Sequence, residues 1–94
     1  MRSFEFDPDK EAINITKHEL TFDAALLLFE GPFIEDIDSR VDYRETRFVA
    51  IGPVAEFGDR IYVVVYTWRN AKRRIISFRK ANDREARKYG DAHA

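Results

Sequence analysis

The 94-residue sequence contains no cysteine, and its four glycines and three prolines are scattered. Without cysteine the chain has no disulfide, no thiolate metal site and no cysteine nucleophile. Isolated glycines do not build a phosphate-binding loop, which needs several of them at close spacing. Two histidines without cysteine do not make a zinc site. We therefore expect neither a metal ion nor a cofactor.

The sequence also lacks long hydrophobic runs. No apolar stretch approaches the roughly 18 residues of a membrane-spanning helix, and the first residues do not resemble the apolar segment of a signal peptide. Apolar residues make up 45% and charged residues 35%, as in a folded domain with a well-hydrated surface. We expect one cytoplasmic domain over residues 1–94, with no membrane partner and a frayed tail at about 90–94.

Charge is divided unevenly along the chain, although the net charge is only −1. Residues 60–88 hold ten Lys or Arg against two acidic residues, whereas residues 1–59 hold fourteen acidic residues against six basic ones. A cationic half favours a polyanionic ligand, and an acidic half limits indiscriminate binding.

Capping residues predict two helices in the first third of the chain. Asp7 and Pro8 are typical of a helix start, and this helix should run to about His18. A second helix should begin at Thr21, whose hydroxyl can cap it, and should end before residues 31–32, a Gly-Pro pair.

Alternation and turn residues predict strands elsewhere, and Asn82 or Asp83 should cap a last helix over residues 84–89. Short connections imply antiparallel neighbours. The result is an α+β fold: two N-terminal helices packed on an antiparallel sheet of about four to five strands, and a short C-terminal helix. The predicted strands cover residues 4–6, 33–38, 47–51, 60–68 and 72–79, and the strand at 33–38 could form an edge of the sheet.

The hairpin at residues 60–80 carries most of the positive charge. Because side chains alternate along a strand, Ser77 and Arg79 share one face, while Arg74 and Lys80 share the other. Arg74 and Arg79 can act together only if a bulge intervenes. The alternative is that these charges are solvated and protect an edge strand.

The first predicted helix carries a polar stripe of Lys10, Asn14, Lys17 and His18, at spacings that place them on one face. Histidine suits general acid–base work near neutral pH. An ordinary solvent-exposed helix face is the alternative. The tyrosines at 62, 66 and 89 can either stack bases beside arginine or belong to the core, and Trp68, beside a charged turn, should be more exposed.

Several segments, at matching intervals over residues 4–89, resemble BrnT-type toxins of bacterial type II toxin–antitoxin systems. The sequence departs from the family pattern at Glu19, where glycine is usual, and at Phe78, where alanine is common. The matching segments are Phe4-Glu5-Phe6-Asp7 with Lys10, Asn14, Lys17 and His18; Phe22-Asp23 with Ala25; Glu45-Thr46-Arg47; Val65-Tyr66-Thr67; residues 74–81; and Arg84-Glu85 with Arg87 and Tyr89.

The resemblance implies a RelE-like fold and a metal-independent ribonuclease that inhibits translation. It also implies a cognate BrnA-like antitoxin that forms a hetero-oligomer with the toxin and neutralises it. The complex would repress its own operon, so that operator DNA is contacted only through the antitoxin.

We hypothesise that the 2′-hydroxyl of the RNA attacks the adjacent phosphate while the protein supplies protons and positive charge. Arg74 and Arg79 would hold the transition state, and His18 or Lys17 would move protons. The predicted catalytic residues are His18, Lys17, Arg74, Arg79 and Tyr66; the predicted substrate-binding residues are Lys10, Asn14, Arg47, Ser77, Lys80 and Tyr89.

Two other functions stay open from the residues themselves. The chain could be a non-catalytic nucleic-acid-binding module that uses the hairpin at 60–80. It could also be a structural protein whose acidic and basic halves pair between copies. The last helix could either add cations to an RNA groove or receive the antitoxin.

Overall fold

The computed structural model describes residues 4–38, 44–58 and 60–92, and within these ranges the chain forms three helices and one five-stranded sheet. The predicted loop at 38–45 and the predicted tail at 90–94 lie partly outside the described residues. The helices are Pro8–His18 (α1), Phe22–Ala25 (α2) and Asp83–Ala92 (α3). The strands are Phe4–Phe6 (β1), Ile34–Ile37 (β2), Phe48–Pro53 (β3), Ile61–Arg69 (β4) and Lys72–Lys80 (β5).

The predicted α+β fold is confirmed, with one difference in strand pairing. The strand order is β1-β5-β4-β3-β2, and the pairs among β2 to β5 are antiparallel. β1 instead lies parallel to β5, with Phe4 opposite Arg73 and Phe6 opposite Ile75. A parallel pair needs a long crossover between its strands, and most of the chain lies between these two. β2 is an edge strand, as the alternating acidic pattern suggested.

One face of the sheet carries the main hydrophobic core. Phe22, Ala25 and Leu28 are fully buried there, against Val64 and Phe78 of the central strands. The second helix is shorter than predicted: α2 ends at Ala25, and a 3₁₀ turn follows at Leu28–Glu30. Among the described residues Thr21 makes no side-chain capping bond; Glu11 of α1 accepts the Phe22 N–H at 2.9 Å instead.

The opposite face carries a smaller cluster of Ile51, Val63 and Val65, against which Tyr89 of α3 packs. α3 contributes no fully buried residue within the described part of the chain, and it continues through Gly90 to Ala92. The N-terminal helices and α3 therefore serve different faces of the sheet. In the described ranges no helix is long and apolar enough to cross a membrane.

The ends of α1 explain how the chain enters and leaves it. Asp7 caps the first turn by accepting the Asp9 N–H at 2.9 Å, and Pro8 occupies the first helical position, as predicted. At the C-terminal end Glu19 adopts φ 59° and donates its backbone N–H to the Ile15 carbonyl at 2.8 Å. The chain therefore makes this left-handed turn with glutamate, where glycine would be unstrained.

Replacing Glu19 with glycine should raise the free energy of unfolding by roughly 1 kcal/mol, because the left-handed conformation penalises a side chain with a Cβ. Urea denaturation at neutral pH measures the change. Glu19→Ala is the matched control: it removes the same charge but keeps the Cβ, so it should give no such gain. Equal stabilisation by both variants would assign the effect to charge and contradict this account.

Candidate active site

A β-bulge in β5 decides which arginines share a face. Val65 pairs with Ser77 but Tyr66 pairs with Ile75, so Ile76 is the extra residue. Strict alternation would place Arg74 and Arg79 on opposite faces, and the bulge reverses this.

Alternation along β4 assigns the face that results. Arg74, Ser77 and Arg79 lie opposite Thr67, Val65 and Val63. Val63 and Val65 belong to the smaller cluster, away from the main core, and alternation places Thr67 on the same face. We call the side of β5 that bears Arg74, Ser77 and Arg79 the arginine face.

Each arginine of this face is held by a carboxylate. Arg74 Nη1 lies 3.6 Å from Glu5 Oε1, across the parallel pair that β1 forms with β5. Arg79 donates from its two terminal nitrogens to both oxygens of Glu85, at 2.7 and 2.8 Å. The fork-to-carboxylate geometry of Arg79 is the stronger of the two, because it is short and bidentate.

Glu85 also belongs to the start of α3. Its Oε1 accepts the Asn82 N–H at 3.0 Å, while Asn82 Oδ1 accepts the Glu85 N–H at 2.8 Å. This reciprocal pair is a capping box, and it confirms Asn82 as the helix cap. The same carboxylate therefore fixes both the beginning of α3 and the guanidinium of Arg79.

The cations of α1 gather beside β5. Ser77 and the predicted stripe of α1 line a shallow cavity of about 200 Å³. Lys80 joins Lys17 and His18 around an adjacent cavity of about 310 Å³. Ser77 connects these groups to the arginine face. We call Lys10, Lys17, His18, Ser77 and Lys80 the helix-edge patch.

Asn14 lies in the same place but has a structural role. It is buried, and its amide donates to the carbonyls of Phe78 at 2.8 Å and Leu20 at 3.0 Å. Its Oδ1 accepts the Phe78 N–H at 2.9 Å. β1 ends opposite Ile75, so this side chain takes over the pairing of the strand edge. We correct its predicted substrate contact to a fixed link between α1 and β5.

The position of Tyr66 does not fit the catalytic role predicted for it. Its ring is fully buried in the main core, stacked on Phe48, and its hydroxyl donates to Glu35. Burial, followed by the bond to Glu35, raises the pKa of Tyr66 to about 12. It therefore points to the opposite side of the sheet from Arg79, and we correct its predicted catalytic role to a core role.

Two predicted substrate contacts belong to other parts of the fold. Arg47 directly precedes β3, and its carbonyl accepts the Asp38 N–H at 2.8 Å. Tyr89 is partly buried against the apolar cluster under α3. Trp68 is 49% exposed, which agrees with its position beside the hairpin turn.

A larger cleft of about 490 Å³ lies between β2 and α3. Arg84 and Glu85 of α3 line it together with Arg79 of β5, and Lys88 forms an ion pair with Asp36 across it. Within the described ranges, no three His, Asp or Glu side chains are grouped to hold a metal ion. Glu85 was not among the site residues predicted from the sequence, although the spacing of Asn82 and Glu85 is that of a capping box.

Comparison with solved structures identifies the class of fold. The chain is similar to the crystal structure of the Brucella abortus ribonuclease toxin BrnT, with a TM-score of 0.62 and 22% identity. The match covers 88% of this chain and 100% of that chain. The fold is thus shared with a small ribonuclease toxin over nearly its whole length.

The family itself follows from the sequence. A family model described as the ribonuclease toxin BrnT of type II toxin–antitoxin systems matches residues 6–85, so the chain belongs to the BrnT family. This confirms the resemblance. No curated protein sequence matches the chain.

Replacing Tyr66 with phenylalanine should lower the free energy of unfolding by about 1.5–3 kcal/mol at pH 7, because a hydrogen bond to a carboxylate is lost. The folded-state pKa is raised to about 12, so the stabilising effect is complete below pH 10 and falls as pH rises toward 12.

Urea denaturation of both proteins from pH 7 to pH 11 measures this difference. The difference in the free energy of unfolding between wild type and Tyr66→Phe should narrow above pH 10. Other groups that titrate at alkaline pH are common to both proteins, so their effects cancel in this difference. A gap that widened above pH 10 would contradict the assignment.

Proposed function

We propose that the chain is an endoribonuclease toxin whose active site combines the helix-edge patch with the arginine face. The observation that carries this proposal is the bulge at Ile76, which puts Arg74, Ser77 and Arg79 on one face. Ser77 also borders the cavity of Lys17 and His18. A phosphate lying over Ser77 would have one arginine on each side of it along β5, and the imidazole of His18 beside it on α1.

The proposed mechanism uses the 2′-hydroxyl of the RNA as the nucleophile. Arg79 and Arg74 offset the negative charge that builds on the phosphate oxygens, and His18 donates a proton to the leaving 5′ oxygen. Lys10, Lys17 and Lys80 contact neighbouring phosphates of the RNA, and these contacts hold the RNA strand in position.

We also propose that the cleavage is independent of metal ions. The support is the composition of the site: the helix-edge patch and the arginine face bring together cations, an imidazole and a hydroxyl. These groups can supply charge stabilisation and proton transfer by themselves.

The partner that we propose is a BrnA-like antitoxin, and the complex would repress its own operon through the DNA contacts of the antitoxin. The type II class of the family supports an antitoxin partner and an RNA substrate. Translation would stop because the RNA is cut.

Removing either side of the site should slow RNA cleavage. We expect a loss of about 10²–10⁴-fold for His18→Ala and about 10²–10³-fold for Arg79→Ala. The measurement is the initial rate of appearance of RNA ends with 2′,3′-cyclic phosphate, in excess chelator. Arg87→Ala is the matched control, since it removes an exposed charge from α3 and should leave the rate nearly unchanged.

Two results would count against this site. If folded His18→Ala and Arg79→Ala proteins both cleaved at the wild-type rate, the active site would lie elsewhere. If the wild type bound RNA with steep salt dependence but released no cyclic-phosphate ends, the chain would be a non-catalytic binder.

Expression of the chain in bacteria should arrest growth, and co-expression of the neighbouring gene should relieve the arrest. Mobility-shift assays should show operator binding by the complex and none by the toxin alone. If the neighbouring gene relieved the growth arrest but the complex did not bind operator DNA, the proposed antitoxin would stand and the proposed repression of the operon would be wrong.

A further inference from the structure

The proposed reaction needs two groups that exchange protons, and the helix-edge patch supplies one imidazole. Attack by the 2′-oxygen requires a base, and departure of the 5′-oxygen requires an acid. We propose that Glu85 is the base, paired with His18 as the acid. This inference rests on the proposed function and adds a residue to it.

The first argument is the position of the Glu85 carboxylate beside the proposed phosphate clamp. Both of its oxygens lie within 2.8 Å of the terminal nitrogens of Arg79. A phosphate held by Arg79 would therefore lie next to this carboxylate, as would the 2′-hydroxyl of the preceding ribose. The Glu85 side chain is 19% exposed and lines the large cleft, so the cleft gives a substrate access to it.

The second argument is that Glu85 is oriented before any substrate binds. The capping box fixes it from α3, and the bidentate pair fixes it from β5. A base held in one orientation costs less to bring into a reactive arrangement than a mobile side chain does. The two anchors come from different elements, which makes the orientation a property of the fold.

The third argument comes from the position of His18 relative to Glu85. Ser77 lines the same cavity as His18. Arg79 lies two positions farther along the same face, so the Cα atoms of Ser77 and Arg79 are about 7 Å apart. The imidazole thus lies near the Ser77 end, and the carboxylate near the Arg79 end, of the strand segment over which we place the phosphate.

Other carboxylates are less suited to the role. Glu11 is engaged with the Phe22 N–H, and Asp36 pairs with Lys88 at the far side of the cleft. Glu5 resembles Glu85 in pairing with an arginine of the same face, but at 3.6 Å and through one nitrogen. Glu5 therefore provides a matched comparison for Glu85.

The proposed step balances in protons and bonds. The 2′-hydroxyl gives its proton to the Glu85 carboxylate as its oxygen forms a bond to phosphorus. The bond from phosphorus to the 5′-oxygen breaks, and that oxygen takes a proton from the His18 imidazolium. The products are a 2′,3′-cyclic phosphate and a 5′-hydroxyl, with Glu85 protonated and His18 neutral; exchange with water restores both.

The charges facing Glu85 come from three elements. Arg79 of β5 contacts it directly, Arg84 and Lys88 of α3 line the same cleft, and so does Asp36 of β2; Asp38, which follows β2, completes the set. Each of these groups can shift the pH at which Glu85 gains a proton. Replacement of Glu85 itself should instead remove the low-pH decline from the pH profile of kcat/KM.

The test is the pH dependence of kcat/KM from pH 4 to pH 9, on a labelled oligoribonucleotide that the wild type cleaves. Wild type should lose activity at low pH, because a protonated base cannot accept the proton of the 2′-hydroxyl. Glu85→Gln keeps an acceptor for Arg79 and for the cap. It should be slower by about 10²–10⁴-fold and should lack the low-pH decline.

Two comparison variants separate chemistry from structure. Glu85→Asp keeps a carboxylate and should retain the low-pH decline at a reduced rate. Glu5→Gln removes the other arginine-paired carboxylate and should also retain the decline. Circular dichroism and urea denaturation establish that each variant is folded, and a folded Glu85→Gln protein with an unchanged profile would overturn the proposal.

Faster cleavage by Glu85→Gln would also overturn it, because Glu85 would then compete with phosphate for Arg79. A wild type that yields no cyclic-phosphate ends on any RNA would overturn the proposed function together with this inference. A wild type that cleaves while Glu85→Gln keeps the same profile would overturn this inference alone.

Discussion

The link between the Asn14 side chain and the backbone of Phe78 determines where the site can form. β1 pairs with β5 only as far as Ile75, and the amide of Asn14 continues that pairing from α1. Leaving such buried groups without partners would cost about 1–3 kcal/mol each. Because α1 is fixed at this point, Lys17 and His18 lie beside the strand that carries the arginines. One buried side chain thus connects the helix that carries the proposed acid with the strand that carries the proposed phosphate-binding arginines.

The sequence predicted the elements well because their signals are local. The Asp7 cap, the alternating hairpin strands and the Asn82 cap each depend on a few adjacent residues, and the structure contains all three. The parallel pairing of β1 and the bulge at Ile76 depend on contacts between distant segments. No local pattern encodes such contacts, so alternation alone separated Arg74 from Arg79.

The candidate site was predicted less completely, for a related reason. Residue type indicates what a side chain can do, whereas its partner decides what it does. Tyr66 suits base stacking, but its ring is buried in the main core and its hydroxyl donates to Glu35 of the edge strand. Asn14 suits a polar contact with RNA, but β5 uses its amide. The sequence indicates that Glu85 is a surface charge on a short helix, whereas the structure pairs it with Arg79.

The acidic character of β2 has a consequence for how the molecule meets copies of itself. In the described part of the chain β2 ends the sheet, and both Glu35 and Asp36 are exposed on it. Two copies aligned edge to edge would bring these acidic segments against one another, and like charges in facing strands oppose pairing. Lys88 offsets the charge of Asp36, whereas Glu35 accepts a bond from the neutral hydroxyl of Tyr66. The acidic residues of β2 thus disfavour pairing of two copies at this edge.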